Sequence, residues 1–276
     1  MNYYQNVYKN LIFNKYNKIY SFILDILGKK IRKNSTNKYI LNDFFLSKCK
    51  ITNNIPYIIG ITGSVAVGKT TISKLLQFLL QTRFNNFKIE LINTDSFLYP
   101  NYILNNIGLM HKKGFPESYD INLLFSSLFN IKKGISSVSI PVYSHKIYDI
   151  IPKCEQVINL PDIIIIEGLN ILQNIPIYNH ILISDFVDFS IYIDSSEELL
   201  KCWYINRFFQ LIKNSRSNLK SIFYNYNKIT EFKVCKIANK FWEDINLLNL
   251  KLNILPTRDK ADLIIYKSDN HSLKLI

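Results

Sequence analysis

The stretch from Pro56 to Phe84 constrains the fold of this chain more than any other. It begins with the apolar run PYIIGI at 56–61 and continues with GSVAVGKT at 63–70. It ends in a segment whose isoleucine and leucines recur at helical spacing. The octet fits the phosphate-binding pattern G-x-x-x-x-G-K-[ST] at every fixed position. Because a strand, a glycine loop and a helix are the context that this pattern requires, the sequence predicts a nucleoside triphosphate site.

Each part of the octet has a physical task in such a site. The glycines let the backbone curl, so that successive N–H groups point at phosphate oxygens near a helix N-terminus. Lys69 would reach the β- and γ-phosphates, and Thr70 would offer a hydroxyl to Mg²⁺. The alternative is a glycine-rich turn without a ligand, which the agreement of octet and context disfavours. The residues that we assign to binding of the nucleoside triphosphate are Gly63, Ser64, Val65, Ala66, Val67, Gly68, Lys69, Thr70 and Thr71.

The length of 276 residues allows one large domain or two small ones. We predict one, spanning 1–276, because the helical crossovers of a parallel sheet consume length. The predicted fold is α/β, a mainly parallel sheet flanked by helices. Residues 1–50 form a helical N-terminal extension packed on it: a helix ended by Gly28, with an apolar face from Ile19 to Leu27, and a second helix over Tyr39 to Leu46.

The formal net charge of +13 permits a nucleic-acid or membrane-surface reading. The alternative is compositional, because the chain is rich in Lys, Asn, Ile, Tyr and Phe, the residues of A+T-rich codons. The basic residues occur in short scattered groups, and no basic groove with interleaved aromatics can be located. We therefore favour the compositional explanation and predict no nucleic-acid partner. A GTPase is disfavoured too, since no Asn-Lys pair has an Asp two residues after the Lys.

The cysteines and the hydropathy pattern indicate the cellular compartment of the protein. The four cysteines lie far apart without a C-x-x-C pair, which argues against a disulfide framework and against a zinc site. No signal peptide is visible, and no run approaches the ~18 apolar residues of a membrane span. We predict a soluble, cytoplasmic protein that does not associate with membranes.

Two carboxylates follow predicted strands, where ligands of open α/β sheets bind. Asp95 comes directly after the strand at 88–94, and it is either the general base for an attacking hydroxyl or the N-cap of the next helix. Spacing alone does not separate these two roles. Glu167 ends the buried strand at 162–167, an arrangement typical of a carboxylate that holds Mg²⁺ beside the P-loop threonine.

Two further polar residues have open roles. His145 ends the extended stretch at 138–145, before a predicted loop at 146–152, and taken alone it is more typical of a surface or structural histidine. Arg207 shares a face with Tyr204 and Phe208 on a helix from Ser196 to about 211, opened by a capping box of Ser195 and Glu198. It is either a lid arginine for the transferred phosphoryl group or part of a surface ion pair.

In the C-terminal quarter, the sequence predicts secondary structure but few residues with a chemical role. Residues 213–228 are polar and aromatic, which indicates a mobile loop. A last long helix is predicted from Glu231 to Leu250, followed by a turn and a closing strand from Leu263 to Tyr266.

Seven blocks together resemble one known family, the bacterial type I pantothenate kinases. In order, the blocks are GSVAVGKTT, GLMHKKGFPESYD, PVYSHKIYDIIP, IIIIEGLNILQ, SDFVDFSIYID, WYINRF and INLLNLKLNILPTR. The resemblance runs from about Pro56 to the C-terminus. It implies a P-loop kinase fold, close to that of the uridine kinases and phosphoribulokinases. It also implies transfer of the ATP γ-phosphoryl group to the 4′-hydroxyl of pantothenate, the first step towards coenzyme A. A uridine kinase or phosphoribulokinase-like small-molecule kinase is the alternative.

The resemblance also implies roles for individual residues. Asp95 matches the catalytic base, Lys69 and Thr70 match the phosphate and Mg²⁺ residues, and Arg207 matches the arginine that stabilises the transferring group. The pantothenate-contacting positions correspond to Tyr143, His145, Tyr204 and Asn246, and Lys267 and His271 fall where the family closes over adenine. It further implies a homodimer and feedback inhibition by coenzyme A.

Overall fold

A six-stranded, mostly parallel sheet forms the centre of the protein. The computed structural model describes residues 17–36, 55–174, 181–216 and 221–276. The strands are β1 Tyr57–Gly63, β2 Ile89–Asn93, β3 Val138–Ser144, β4 Asp149–Ile158, β5 Ile163–Glu167, β6 Phe189–Asp194, β7 Leu263–Lys267 and β8 Leu273–Leu275. The central sheet has the order β2-β5-β1-β6-β7-β8, with all neighbours parallel except β7 and β8. Strands β3 and β4 form a separate antiparallel hairpin.

Helices cover the sheet. They are α1 Asn17–Thr36, α2 Lys69–Arg83, α3 Asn101–Asn106, α4 Ile121–Lys132, α5 Glu197–Ser215 and α6 Glu231–Phe241. No helix in the described part of the chain combines the length and the apolarity that crossing a membrane would need. The three cysteines that the structure describes, Cys154, Cys202 and Cys235, are free.

The two faces of the sheet each bury an apolar cluster. In β5, Ile163 and Ile165 belong to the cluster under α1 and α2, whereas Ile164 and Ile166 belong to the cluster under α4. All four side chains are fully buried. A parallel strand that is covered on both faces needs apolar residues at every position. This explains the uninterrupted isoleucine run, and the predicted α/β class is confirmed.

Helix α1 is longer than predicted, because it continues through Gly28 to Thr36. Its apolar face extends past the glycine to Ile31, which is buried in the cluster under α1 and α2. A glycine inside a helix costs roughly 0.5–1 kcal/mol, less than the burial of an isoleucine contributes. Arg83 of α2 also forms an ion pair with Asp25, with 2.8 Å between Nη1 and Oδ1. The second predicted N-terminal helix, 39–46, lies outside the described residues.

The predicted loop at 146–152 is largely a strand. Strand β4 begins at Asp149 and pairs with β3, so the connection is a tight turn that includes Tyr148 with a φ of 56°. Strand β4 is stabilised by its hydrogen bonds to β3. Its own sequence mixes polar and apolar residues without a clear pattern, so it gave little indication of a strand. The hairpin brings Tyr148 next to Tyr143, with ring centroids 6.4 Å apart.

The beginning and the end of α5 also differ from the prediction. Ser196, not Ser195, is the N-cap and accepts a hydrogen bond from the Leu199 N–H. The Ser195 hydroxyl instead donates to the Lys267 carbonyl of β7, 2.8 Å away. The helix continues to Ser215 because Ile212 is buried against an aromatic cluster that includes Phe223.

The prediction of a mobile loop over 213–228 is wrong for the part that the structure describes. Residues 213–215 complete α5, and Tyr224–Lys228 form a 3₁₀ turn. Phe223 is buried against the ring of Phe208, with centroids 5.7 Å apart. Aromatic residues in a polar segment here indicate burial, a signal that the prediction did not use.

The last predicted helix is α-helical only from Glu231 to Phe241. Wider π-helical turns follow at Trp242–Leu247 and Leu250–Ile254, and a 3₁₀ turn covers Leu255–Lys260. Such turns often occur at functional sites. The predicted closing strand is present as β7, and the additional short strand β8 was not predicted.

Gly168 provides a test of how closely the segments at the carboxyl edge of the sheet approach one another. A Cβ at this position would overlap the Thr94 side chain. We therefore expect Gly168→Ala to lower the free energy of unfolding by about 1–3 kcal/mol, the range for overpacking. Urea denaturation measures this. Gly28→Ala is the matched control, because its Cβ would meet only the Arg83 side chain at 3.6 Å. That control should raise stability by roughly 0.5–1 kcal/mol, and equal stabilities for the two variants would contradict the prediction.

Candidate active site

Three chain segments meet at the carboxyl ends of the central strands. The register pairs Ile61 of β1 with Glu167 of β5, and Asn93 of β2 with the same Glu167. The loop after β1, the turn after β2 and the end of β5 therefore lie side by side. This edge is where open α/β sheets bind ligands.

The loop after β1 has the backbone conformation that its glycines permit. Gly63 has a φ of 140° and Gly68 a φ of 103°, both in the region that favours glycine. Gly68 is the N-cap of α2, so the loop ends at the positive end of a helix dipole. Residues 64–67 connect the two glycines, and Thr71 lies exposed in the first turn of α2. The arrangement is suited to an anion.

Lys69 is held within this loop. Its Nζ donates to the carbonyls of Gly63 and Ser64, at 3.1 and 2.9 Å. Burial lowers the pKa of Lys69 to about 8, although the negative charges of Glu167 and Asp95 oppose this shift. Phosphate oxygens would compensate a buried ammonium group of this kind.

Thr70 and Glu167 are in direct contact, as the sequence pattern predicted. The Thr70 hydroxyl donates to Glu167 Oε1 at 2.7 Å, and the Asn93 amide donates to the same oxygen at 2.9 Å. Burial raises the pKa of the Glu167 carboxyl, against the opposing effects of Lys69 and Thr70. The carboxylate and the hydroxyl are hard oxygen donors of the kind that Mg²⁺ prefers. Among the residues described, no group of three or more His, Cys, Asp or Glu side chains is placed to hold a metal ion.

Asp95 is not the cap of the turn that contains it. Asn93 has that role, since its side chain accepts a hydrogen bond from the Asp95 N–H at 2.8 Å in the 3₁₀ turn Thr94–Phe97. The Asp95 carboxylate faces a cavity, with Oδ2 4.0 Å from His145 Nε2. The structure thus removes the capping alternative.

A cavity of about 520 Å³ lies between this edge of the sheet, the β3–β4 hairpin and helices α5 and α6. Its charged lining comprises three cations, Lys69, Lys113 and Arg207, and two carboxylates, Asp95 and Glu167. The excess of positive charge favours anionic ligands. Arg207 makes no ion pair with any described carboxylate, so the alternative of a surface ion pair is not supported.

The four predicted substrate-binding residues also line this cavity. Tyr143 and His145 lie on the hairpin with their rings edge to face, 5.2 Å between centroids. Tyr204 lies on α5, and its ring centroid is 5.7 Å from that of Trp242. Asn246 lies in the first π-helical segment, and its amide donates to the Phe241 carbonyl at 3.0 Å. Residues separated by a hundred positions in the sequence thus share one chamber.

Lys267 and His271 lie beside the phosphate loop and are not part of the cavity lining. Lys267 Nζ donates to the Val67 carbonyl at 2.8 Å and lies 4.4 Å from the centre of the Trp203 ring. Burial lowers the pKa of Lys267 to about 8. His271 contacts the same indole ring as Lys267: its ring centroid lies 5.1 Å from that of Trp203.

Sequence reasoning missed several residues of the site. Lys113 is 8% exposed, and its Nζ donates to Asn101 Oδ1 and to the Tyr148 carbonyl, both at 2.6 Å. Burial lowers the pKa of Lys113 to about 8. Nothing in the sequence distinguishes it from Lys112, which is only partly buried. The aromatic side chains at one end of the cavity were also missed, although the aromatic content of these segments could have been a signal: Phe208, Phe223, Tyr226 and Phe241.

Comparisons with known proteins agree with this geometry. The sequence profile of the Phosphoribulokinase / Uridine kinase family matches residues 58–213. A protein named pantothenate kinase from Yersinia enterocolitica is 48% identical over 262 residues, which cover 94% of this chain and 82% of that protein. The pantothenate kinase of Yersinia pestis strain Pestoides F has the same identity and coverage.

Solved structures show the same fold at low sequence identity. A D-glycerate 3-kinase from Cryptococcus neoformans superposes with a TM-score of 0.61 at 12% identity, covering 94% of this chain and 99% of that one. The YGR205w protein superposes with a TM-score of 0.59 at 16% identity, covering 94% and 97%. From the family profile and the 48% identity over most of its length, the chain belongs to the phosphoribulokinase and uridine kinase family and, within it, to the pantothenate kinases.

Proposed function

We propose that this kinase transfers the γ-phosphoryl group of ATP to the 4′-hydroxyl of pantothenate, the first step of coenzyme A biosynthesis, in the cytoplasm. The observation that supports this most directly is a single cavity lined by Lys69, Thr70, Asp95 and Arg207. A phosphate-binding lysine, a metal-binding hydroxyl, a carboxylate and an arginine are the groups that phosphoryl transfer to a hydroxyl requires.

The nucleotide would bind along the loop between β1 and α2. The backbone N–H groups of residues 63–68, the Lys69 ammonium group and the start of α2 would hold its phosphates, with Thr71 in the first turn. Lys267, which donates to the Val67 carbonyl of the loop, and His271, which contacts the same Trp203 ring as Lys267, would contact the adenine end. Thr70 and Glu167 would hold Mg²⁺, which would supply positive charge to offset that of the phosphates.

Asp95 would take the proton of the 4′-hydroxyl as its oxygen attacks the γ-phosphorus. The bond from this phosphorus to the β–γ bridging oxygen breaks, and ADP leaves with that oxygen. Lys69 contacts phosphates throughout, whereas Arg207 would act mainly on charge that redistributes in the transition state.

The walls of the cavity would position pantothenate. The polar groups of Tyr143, His145, Tyr204 and Asn246 suit the hydroxyl and amide groups of this substrate, and the excess of cations suits its carboxylate. Coenzyme A, which contains the same pantothenyl unit and several phosphates, is the proposed feedback inhibitor. We also propose that the enzyme works as a homodimer.

A uridine kinase or phosphoribulokinase activity is the second candidate, and the family profile by itself fits it equally well. The relatives at 48% identity, which carry the name pantothenate kinase, favour the first candidate.

The first prediction from the proposed function concerns the substrate. With ATP and Mg²⁺, ADP should appear on adding pantothenate, and not on adding uridine or ribulose 5-phosphate. A coupled ADP assay measures this, and ³¹P NMR of the product should show a phosphomonoester on the primary hydroxyl. Lys69→Met is the control for a contaminating kinase and should abolish the signal. Preference for uridine would overturn the proposal.

The base is the second prediction. Asp95→Asn should lower kcat by about 10²-fold or more, the range for loss of a general base. ATP affinity should remain, because the loop backbone and Lys69 hold the phosphates. Steady-state kinetics and calorimetric ATP binding separate the two effects. Asp259→Asn, at an exposed acid outside the cavity, should leave kcat unchanged. Near-normal turnover of Asp95→Asn would remove Asp95 from this role.

The charge of His145 is the third prediction. Burial lowers the pKa of His145 below its usual value of about 6.5, and the attraction of Asp95 offsets this only in part. The imidazole should therefore be neutral at pH 7 and act as a hydrogen-bonding group. NMR titration of the imidazole signal, assigned with His145→Gln, should give a midpoint below 6.5. In Asp95→Asn the midpoint should fall further, since the attraction is gone. A midpoint above 6.5 would show that Asp95 outweighs burial.

A further inference from the structure

Tyr119 lies directly behind the carboxylate that faces the cavity. Its side chain is 4% exposed and does not line the cavity, so it contacts no ligand there. Its hydroxyl donates to Asp95 Oδ1 at 3.4 Å. Hydrogen bonds of catalytic groups are often long before the substrate binds. This is a contact between a buried phenol and the proposed base that neither the sequence patterns nor the proposed reaction uses.

The backbone of Tyr119 is attached to the turn that contains Asp95. Tyr119 forms an antiparallel bridge with Leu98. On either side of it, the Asp120 N–H donates to the Phe97 carbonyl at 2.7 Å, and the Tyr99 N–H donates to the Ser118 carbonyl at 2.9 Å. The two segments that carry the phenol and the carboxylate are therefore joined directly by backbone hydrogen bonds.

The same turn is restrained on its other side. The Asn93 side chain accepts from the Asp95 N–H, and Gly168 approaches Thr94 so closely that a Cβ would overlap its side chain. With the backbone restrained in this way, the main freedom left to Asp95 is rotation of its side chain. A donor at Oδ1 restricts that rotation and leaves Oδ2 towards His145 and the cavity.

The Tyr119 hydroxyl is suited to act as this donor. Burial, followed by the negative charge of Asp95, raises the pKa of Tyr119 well above its usual value, so the phenol keeps its proton. A neutral O–H that donates to a carboxylate makes a charge-assisted hydrogen bond. Phenylalanine would fill the same space without the donor.

We propose that Tyr119 is a positioning residue for the phosphoryl-transfer reaction: its hydroxyl holds Oδ1 of Asp95 so that Oδ2 is directed at the substrate hydroxyl. This inference rests on the proposed role of Asp95 as the base. Tyr119 acts through Asp95 and does not touch the reacting atoms.

A double-mutant cycle tests this inference, because two residues that act together show non-additive effects. The variants are Tyr119→Phe, Asp95→Ala and the double variant, assayed with saturating ATP and pantothenate. Asp95→Ala is used because an asparagine would keep an oxygen that could accept the tyrosine hydrogen bond. Tyr57→Phe is the matched control: Tyr57 is also a buried tyrosine, with a long hydrogen bond of 3.5 Å to the Asp188 carbonyl, outside the cavity.

In the wild-type background, we expect Tyr119→Phe to lower kcat by about 3- to 10-fold, the order expected for one hydrogen bond to a charged group. The KM values for pantothenate and ATP should change less than about twofold, since Tyr119 contacts neither. In the Asp95→Ala background, Tyr119→Phe should have no further effect on kcat. Tyr57→Phe should leave kcat unchanged, and its melting temperature should fall about as much as that of Tyr119→Phe.

Two results would overturn the inference while leaving the proposed function intact. One is an unchanged kcat for Tyr119→Phe in the wild-type background. The other is an equal loss of kcat in both backgrounds, which would show that Tyr119 acts on general stability. If Asp95→Ala itself retains near-normal kcat, the role of Asp95 as the base is wrong, and the inference fails together with it.

Discussion

The parallel pairing of β5 with both β1 and β2 is the constraint on which the active site depends. This register places Glu167 beside Ile61 on one side and beside Asn93 on the other. It brings Thr70 to 2.7 Å and the Asn93 amide to 2.9 Å from one carboxylate oxygen. A slip of one residue would turn Glu167 to the opposite face of the sheet. The loop after β1, the Glu167 carboxylate and the turn with Asp95 are therefore aligned by the same backbone hydrogen bonds.

Burial of polar groups gives this edge of the sheet its chemical character. Three of its charged groups are desolvated: Lys69, Lys113 and Glu167. Burial lowers the pKa of the two lysines and raises the pKa of the glutamate, so it favours the neutral form of each. Each group is nevertheless hydrogen-bonded, to loop carbonyls, to Asn101 or to Thr70. Such a site is costly to leave without a ligand, because charges taken from water need compensation. Polyanionic phosphates with a divalent metal would supply it.

The aromatic half of the cavity shows where sequence reasoning was limited. Phe223 was assigned to a mobile loop, yet it packs on Phe208 of α5 and on Tyr148 of the hairpin. These contacts join segments far apart in the chain, and no local periodicity encodes them. The sequence around Asn246 was enough to match this residue to a position of the family. It did not predict that the backbone there is π-helical. Helix type there depends on packing around Trp242, which is buried beside Tyr204.

The sequence by itself determined the α/β class, the phosphate loop and the carboxylates that follow β2 and β5. Local signals suffice for these, since glycine spacing, an apolar run and the residue after a strand need no knowledge of the partner. Only the tertiary structure excluded Asp95 as the cap of its turn, because this required seeing that the Asn93 side chain is the cap. It also decided which lysine of the 112–113 pair enters the site and that Tyr119 lies against Asp95. Those outcomes depend on strand register and on burial against distant segments, and both are properties of the folded chain.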